Sequence, residues 1–290
     1  MMKRRAVLLV ALLGYSVSGS TMCAAAGIQA GMGAQTADLG GEALRVFTYR
    51  PEGCAVTGAL LVFHGIARNA AAYRDDARPL ADRFCMLVIA PLFDEARFPT
   101  WRYQRGGLID HGVPRLETAW TVALVRRVVA WVRNATGRPD MPYALIGHSA
   151  GGQFLGRVAA YGGAPDAMRI IIANPSTWVR PDLSVAVPYG FAGLPPGMPD
   201  ESALRSYLAA PITVLLGEAD TGTANLARTR QAMAEGPTRL ARGQTEFRQA
   251  EATAKAHGWA FNWRLSLVPG VGHDARRMFA SEQAIAALSQ

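Results

Sequence analysis

Short, continuous apolar runs recur along the chain, separated by longer segments in which apolar residues follow a helical period. Most of the short runs are apolar throughout rather than alternating, which is typical of strands buried on both faces of a parallel sheet. Seven runs rich in Val, Ile and Leu predict strands at residues 43–49, 59–63, 86–90, 143–146, 169–173, 212–216 and 262–268.

The segments between these runs predict helices at residues 70–83, 116–135, 151–161, 201–209 and 243–257, and from residue 275 onward. In the second of them Trp120, Leu124, Val128 and Trp131 recur at helical spacing, and we interpret this stripe as part of the core. Strands that alternate with helices predict one α/β domain over residues 42–290. Its sheet is expected to be mostly parallel and doubly wound, with helices on both faces and no large lid domain.

The amino end has the pattern of a secretory signal peptide over residues 1–26. Three cations at residues 3–5 precede an apolar run at 6–13, and small residues follow up to Ala26. The apolar run is too short to span a bilayer, so we expect a secreted or periplasmic protein without a stable membrane anchor. Cys23 leaves lipoprotein anchoring as a less favoured alternative, and the paired arginines leave general and twin-arginine export both open. Residues 27–41, rich in Gly and Ala, are expected to form a flexible leader.

Composition and charge exclude some classes of function. The chain has 290 residues, of which 50% are hydrophobic, as expected for a globular protein with one large domain. Its formal net charge is +8, and three of these charges lie in the predicted signal peptide, which leaves +5 after Ala26. No dense basic cluster is interleaved with aromatic residues, so a nucleic-acid partner is not expected. The sequence sets no oligomeric state.

The two cysteines beyond the predicted signal peptide are Cys54 and Cys85, an even number suited to an oxidising compartment. Each lies just before a predicted strand, at 59–63 and 86–90. If these strands are parallel neighbours, their starting ends lie close together, and a disulfide between the two cysteines is plausible. Two separate free thiols are the alternative.

The most informative motif is Gly147-His148-Ser149-Ala150-Gly151, which joins a short apolar strand to a helical segment. A serine at such a corner sits on a tight turn that leaves almost no room for side chains two residues before and after it. The turn holds the hydroxyl out at the carboxyl end of the sheet. Ser149 is therefore the candidate nucleophile.

A serine hydroxyl needs a base, and the base needs an orienting acid. The predicted strand at 212–216 leads into Asp220, and the last predicted strand leads into a glycine-flanked loop that carries His273. We predict a Ser149–His273–Asp220 triad. Glu218 is the rival for the acid, but Asp220 lies further into the loop, within reach of the histidine.

The fourth part of such a site is an oxyanion hole made of backbone amides. The predicted strand at 59–63 ends in His64-Gly65-Ile66, where the glycine lets the amide of Ile66 turn toward the reacting carbonyl. The amide of Ala150, directly after the nucleophile, is the second expected donor. We interpret His64 and His148 as supports of these two loops rather than as bases.

The order and spacing of His64-Gly65, the Gly147–Gly151 motif, Asp220 and His273 resemble the α/β-hydrolase superfamily over nearly all of the chain past residue 43. Within it, the chain is similar to the secreted poly(3-hydroxybutyrate) depolymerase-like and feruloyl-esterase-like group. Members of that group often carry a cysteine where this chain has Ile66. The resemblance implies an eight-stranded, mostly parallel sheet, one strand more than the pattern predicts, and ester hydrolysis through an acyl-enzyme.

Two long irregular segments, at residues 93–114 and 174–199, follow predicted strands at the edge of the sheet where ligands bind in open α/β folds. Their aromatic residues Trp101, Trp178 and Tyr189 are candidate substrate-binding residues, and packing within the loops is the alternative. No set of His, Cys, Asp or Glu has metal-ligand spacing, so neither a metal nor a cofactor is expected.

The sequence thus predicts a secreted serine hydrolase that cleaves carboxylic esters, either small or polymeric. Two alternatives remain. One is an exported serine peptidase or amidase that uses the same triad. The other is an inactive binding protein on a hydrolase scaffold.

Overall fold

The computed structural model describes residues 27–195, 197–198 and 200–289. Its main sheet has eight strands, and a separate two-stranded hairpin lies in the loop that follows the fourth. The strands are β1 (Gly31–Asp38), β2 (Ala43–Arg50), β3 (Gly58–Phe63), β4 (Met86–Pro91), β5 (Ile109–Asp110), β6 (Val113–Pro114), β7 (Tyr143–His148), β8 (Arg169–Ala173), β9 (Ile212–Gly217) and β10 (Arg264–Val268).

The helices of the described residues alternate with the strands. They are α1 (Ala70–Asp76), α2 (Arg78–Phe84), α3 (Leu124–Thr136), α4 (Ala150–Ala160), α5 (Glu201–Ala209), α6 (Arg230–Glu235), α7 (Arg239–His257), α8 (Ala275–Phe279) and α9 (Glu282–Ser289). None of the helices in the described part of the chain combines the length and apolar character that a membrane span requires.

The strand order is β1-β2-β4-β3-β7-β8-β9-β10. The pairs from β4 to β10 are all parallel, whereas β2 is antiparallel to both β1 and β4. The predicted mostly parallel, doubly wound sheet is therefore confirmed. Its central strands β3, β4, β7 and β9 are buried along their whole length, as their continuous apolar runs indicate.

Alternate residues of these strands pack into two separate cores, one on each face of the sheet. On β3, Leu61 and Phe63 pack in the core covered by α3, α4, α5 and α7, whereas Leu60 and Val62 pack in the core covered by α1, α2, α8 and α9. Each fully buried Leu, Val or Phe side chain contributes about 2 kcal/mol by leaving water. The parallel order of β3, β7, β8, β9 and β10 brings the loops after these strands to one edge of the sheet.

The expected flexible leader at 27–41 is corrected by the structure, because residues Gly31–Asp38 form β1. This strand pairs antiparallel with β2 in continuous register from Gly31–Arg50 to Asp38–Ala43. Its Gly- and Ala-rich sequence lacks a strand pattern, and the pairing with β2 supplies the backbone hydrogen bonds. β1 is the eighth strand that the sequence pattern alone does not locate.

Two predicted helices are shorter than expected. The segment at 70–83 is divided between α1 and α2 at Ala77, and Pro79, which has no N–H to continue the first helix, stands in the first turn of the second. In the segment at 116–135 the regular helix begins only at Leu124. The amides of Thr121 and Val122 donate to the carbonyl of Gly106 instead, and short 3-10 turns precede the helix.

The aromatic stripe of this segment is core, as predicted. Trp120 is 3% exposed, and Trp131 packs partly buried against the same core.

Smaller differences concern helix boundaries. Helix α7 begins four residues earlier than expected, where Thr238 caps it by accepting from the amide of Ala241. α6 was not predicted.

Cys54 and Cys85 form a disulfide, with their Cα atoms 6.1 Å apart. They precede β3 and β4, which are parallel neighbours with Gly58 opposite Met86. The bond therefore joins the amino ends of two central strands, at the edge of the sheet opposite the Gly147–Gly151 turn. The predicted signal peptide at 1–26, Cys23 included, lies outside the described residues.

Candidate active site

Ser149 lies at a sharp corner between β7, which ends at His148, and α4, which begins at Ala150. Its backbone has φ +59° and ψ −114°, a conformation that non-glycine residues rarely adopt and that costs about 1–3 kcal/mol. Two backbone hydrogen bonds hold it, from the amide of Ser149 to Ala173 at 2.9 Å and from the amide of Gln153 to Ser149 at 3.0 Å.

The glycines on either side explain how the chain turns here. A Cβ on Gly147 would lie 2.6 Å from the carbonyl oxygen of Gly151, and a Cβ on Gly151 would lie 2.1 Å from the carbonyl oxygen of Phe63. No real Cβ atom approaches backbone so closely. The close contact of α4 with β3 and β7 requires both glycines.

Asp220 and His273 reach Ser149 from two neighbouring loops at the carboxyl ends of β9 and β10. The loops are joined by backbone bonds, including one from the amide of Ala219 to the carbonyl of Val271 at 3.0 Å. Gly217 permits this approach, because a Cβ there would lie 2.3 Å from the Val271 oxygen.

The three side chains form one chain of hydrogen bonds. His273 Nδ1 lies 2.7 Å from Asp220 Oδ2, and His273 Nε2 lies 2.9 Å from Ser149 Oγ. With Nδ1 donating to the carboxylate, Nε2 is free to accept from the serine hydroxyl. Asp220 is buried, the His273 side chain is 30% exposed, and the rival Glu218 is exposed to solvent.

The two expected oxyanion donors belong to segments that adjoin Ser149. Ala150 is the first residue of α4, where helix amides have no partner within the helix and carry the positive end of the helix dipole. Ile66 follows Gly65, and a Cβ on Gly65 would lie 3.9 Å from the Cβ of Ser149, so this loop runs directly beside the nucleophile. The Ile66 side chain itself is 50% exposed.

His64 ties the loop of Ile66 to the sheet. Its Nδ1 donates to the carbonyl of Gly65 at 2.9 Å and its Nε2 accepts from the amide of Phe93 at 3.1 Å, an arrangement that requires the neutral ring. Burial lowers the pKa of His64 to about 4. The hydroxyl of Tyr103 donates to the His64 carbonyl at 2.8 Å.

His148 packs against the triad and supports it. Its ring lies 4.5 Å from the ring of His273, centroid to centroid, and its Nδ1 lies 3.2 Å from the hydroxyl of Tyr73. Burial, followed by the nearby His273 and Arg239, lowers the pKa of His148 well below its usual range. The ring is therefore neutral and acts as a packing surface for His273.

Two residues of this region were missed by the sequence analysis. The hydroxyl of Tyr73 lies 2.6 Å from where a Cβ on Gly65 would be, so it packs against the Ile66 loop as well as His148. Arg239 lies 3.4 Å from Asp220. Neither belongs to a motif. Their contacts with His148 and Asp220, 75 and 19 residues away along the chain, are visible only in the fold.

A cleft of about 530 Å³ opens above Ser149 and His273. Its walls combine small, polar and charged residues with the apolar Ile66. They are formed by Gly65, Ile66, Ala67, Asn69, Ala72, Tyr73, Asp76, His148, Asn225, Asp274, Ala275 and Arg276.

The structure does not bring the three candidate substrate-binding aromatics to this cleft. Trp178 is 1% exposed, and its backbone amide donates to Glu235. Tyr189 is buried as well, and its hydroxyl lies 3.2 Å from the Thr229 hydroxyl. Trp101 is half-buried, with the guanidinium of Arg115 5.3 Å from its ring centre. Trp178 and Tyr189 therefore pack into the protein interior, and none of the three lines the cleft.

Metal-ligating side chains do not gather in groups of three or more within the described residues. The chemistry available at the cleft is that of a serine, an imidazole, a carboxylate and backbone amides.

Among solved structures the chain is similar to LpqC, a poly(3-hydroxybutyrate) depolymerase from Bordetella parapertussis, with 34% identity over 90% of this chain and 92% of that one and a TM-score of 0.83. The chain belongs to the α/β-hydrolase superfamily, in its poly(3-hydroxybutyrate) depolymerase-like group. This α/β-hydrolase is also 34% identical to poly(aspartic acid) hydrolase-1 from Sphingomonas sp. KT-1, over 91% of this chain and all of that chain, with a TM-score of 0.82.

The similarity to an esterase of Pyrobaculum calidifontis is one of fold only, at 18% identity over 89% of this chain and 83% of that one, with a TM-score of 0.51. No protein-family model matches the chain. No curated protein matches it.

Proposed function

We propose that this α/β-hydrolase cleaves carboxylic esters through Ser149, His273 and Asp220. The observation that carries the proposal is the continuous hydrogen-bond chain from Asp220 through His273 to Ser149, with contacts of 2.7 and 2.9 Å. The strained corner that presents the hydroxyl to an open cleft supports the same assignment.

The reaction follows from this geometry. His273 Nε2 takes the hydroxyl proton as Ser149 Oγ attacks the ester carbonyl, and Asp220 holds the imidazole in the tautomer that can accept that proton. The amides of Ile66 and Ala150 donate to the oxyanion, and losing one such donor typically raises the barrier by about 3–4 kcal/mol. His273 returns the proton to the leaving alcohol. Water, activated in the same way, then frees the acid from the acyl-enzyme.

The charges of the cleft favour a neutral ester over an anionic amide polymer. One similar protein is named for poly(3-hydroxybutyrate), which is a polyester. Another, with the same 34% identity to this chain, is named for poly(aspartic acid), which is a polyanion. Two carboxylates, Asp76 and Asp274, line the cleft beside Ser149, and Arg276, which pairs with Asp76 at 3.3 Å, is mostly exposed. The cleft thus holds one more carboxylate than cation, and a chain of carboxylates bound here would meet this net negative charge.

Turnover of p-nitrophenyl butyrate by wild type, Ser149→Ala and the matched control Ser206→Ala tests the assignment. Ser206 is an exposed serine on α5 and should tolerate the change. Ser149→Ala should lose turnover and labelling by a fluorophosphonate probe. Equal turnover of all three proteins would exclude Ser149 as the nucleophile, and a wild type that neither turns over ester nor takes the label would favour the inactive scaffold.

The acids released from poly(3-hydroxybutyrate), feruloyl esters, acetylated sugars and poly(aspartic acid) distinguish the substrate classes. Release from the esters with none from poly(aspartic acid) supports the proposal. Release from the polyamide alone would support the amidase alternative.

Export is the second part of the proposal. The Cys54–Cys85 disulfide supports it, because such bonds persist in oxidising compartments. Mass analysis of the expressed full chain should give a mature amino terminus near residue 27 in the periplasm or medium. A lipid-modified terminus at Cys23 would instead support lipoprotein anchoring, and an uncut chain in the cytoplasm would contradict export.

A further inference from the structure

The carboxylate of Asp220 is held on both of its oxygens. Oδ2 faces His273 Nδ1 at 2.7 Å, and Oδ1 faces the guanidinium of Arg239 at 3.4 Å from Nη1. Both side chains of the Asp220–Arg239 pair are almost fully buried, at 1% and 2% exposure. A buried carboxylate is costly unless it is paired, and here the pairing cation contacts the oxygen that the histidine does not.

Arg239 also ties the acid-bearing loop to α7. It is the first residue of that helix, and its Nη2 donates to the carbonyl of Ala224 at 2.6 Å. The next amide of the helix, that of Leu240, donates to the Asp220 carbonyl at 3.4 Å. One side chain thus joins the carboxylate, the loop that follows it and the start of a helix packed on β9.

We infer that Arg239 is a positioning residue of the triad, which orients Asp220 toward His273 and balances its charge. This inference rests on the proposed function. An aspartate side chain rotates readily about its last bond, whose torsional preference is broad. A guanidinium on Oδ1 stops that rotation and leaves Oδ2 directed at the imidazole.

Neighbouring buried arginines have no such relation to the triad. Arg242, one turn further along α7, donates to the backbone carbonyls of Gly236 and Ser176. Arg157 on α4 donates to the carbonyls of Pro188, Thr177 and Trp178. These bonds secure loops, whereas the contact of Arg239 is with the side chain that orients the base.

The field of Arg239 reaches the ring beneath the triad as well. After burial and the charge of His273, Arg239 is among the causes that lower the pKa of His148. Asp220 and Ser149 contact His273 directly, the ring of His148 packs against it, and Arg239 lies behind Asp220. Removing Arg239 changes the charge balance of this whole set.

A double-mutant cycle between Arg239 and Asp220 tests the inference, with Arg242→Met as the matched control. We expect Arg239→Met to lower kcat for p-nitrophenyl butyrate by about 10²-fold, the typical effect of a misplaced catalytic group, with KM nearly unchanged. In an Asp220→Asn background the same change should lower kcat no further, because its effect passes through the carboxylate. Arg242→Met should retain kcat in the folded protein.

The outcomes separate this inference from the proposed function. If Asp220→Asn keeps wild-type turnover, the triad itself is wrong. If Asp220→Asn loses turnover but Arg239→Met does not, or if the two losses multiply in the double variant, the positioning role of Arg239 is overturned and the triad stands.

Arg239→Lys takes the place of Arg239→Met in the cycle should the methionine variant not fold. It keeps the charge but loses the two-armed contact with Asp220 and Ala224, so we expect an intermediate loss of kcat that again disappears with Asp220→Asn. The low-field proton resonance of the His273 Nδ1–H bond should shift in either Arg239 variant and stay in place in Arg242→Met. A resonance unmoved by the Arg239 variants, with wild-type kcat, would also overturn the inference.

Discussion

The backbone of Gly151 lies directly against the carbonyl oxygen of Phe63, which an added Cβ would approach to 2.1 Å. Gly151→Ala should therefore push α4 away from β3 and destabilise the fold by about 3 kcal/mol or more. Gly156→Ala on the same helix is the control, because its Cβ would meet nothing within 4 Å. The control should be neutral or stabilising by about 0.5–1 kcal/mol. Urea unfolding of both variants measures the difference, and equal stability would contradict the close packing of the turn.

Asp220, not Glu218, should be the acid of the triad. Asp220→Asn would present an amide to His273 and favour the wrong tautomer, so we expect kcat to fall by about 10⁴-fold, as for other triads of this kind. Glu218 is exposed, and Glu218→Gln should leave kcat close to the wild-type value. Steady-state kinetics with p-nitrophenyl butyrate checks both, and the reverse ranking would assign the role to Glu218.

His64 should make stability depend on pH below neutrality. Its pKa is about 4 in the folded protein and about 6.5 as its ordinary value, so the unfolded chain binds the proton first as pH falls. The stabilisation is complete above about pH 6.5 and is lost progressively toward pH 4, a change of about 3 kcal/mol.

Urea unfolding between pH 7.5 and 4 measures this dependence. His64→Gln should be less sensitive to the same acidification than wild type, since glutamine does not titrate. His111→Gln should retain the wild-type dependence, because the His111 side chain is 97% exposed. Identical pH curves for wild type and His64→Gln would show that His64 does not carry the effect.

The Cys54–Cys85 disulfide should stabilise the fold without affecting catalysis. It spans a sequence separation of 31 residues, for which loop-closure entropy gives a stabilisation of about 3.5 kcal/mol. The double variant Cys54→Ser/Cys85→Ser should unfold at lower urea and lose its sensitivity to reductant. Its kcat at low temperature should match that of wild type, because the bond lies at the sheet edge opposite Ser149. A lower kcat in the fully folded variant would show that the disulfide affects the active site.

Much of the fold follows from local pattern. Continuous apolar runs such as those of β3, β4 and β9 can be recognised because burial on both faces leaves them no polar positions. The Gly147–Gly151 turn is equally visible, since the close backbone contacts at its two glycines leave no room for a side chain. Asp220 and His273 were suggested by their place after strands, because parallel strands bring their carboxyl ends to one edge.

Contacts between distant residues were not visible in the sequence. β1 is a strand because β2 offers it a hydrogen-bonding edge, whereas its own Gly- and Ala-rich sequence indicates none. Trp178 and Tyr189 are aromatic residues of a loop at the carboxyl edge, a place that suits substrate binding, yet the fold buries both against residues from other parts of the chain.

The sequence by itself determined the α/β architecture and the types of residue at the candidate site, because periodicity and tight turns depend on neighbours along the chain. Only the tertiary structure decided how Asp220 is held, since Arg239 reaches it from nineteen residues away. It likewise decided that Tyr73 supports the site and which residues form the cleft. These are contacts across the sequence, and they exist only once the sheet has brought its loops together.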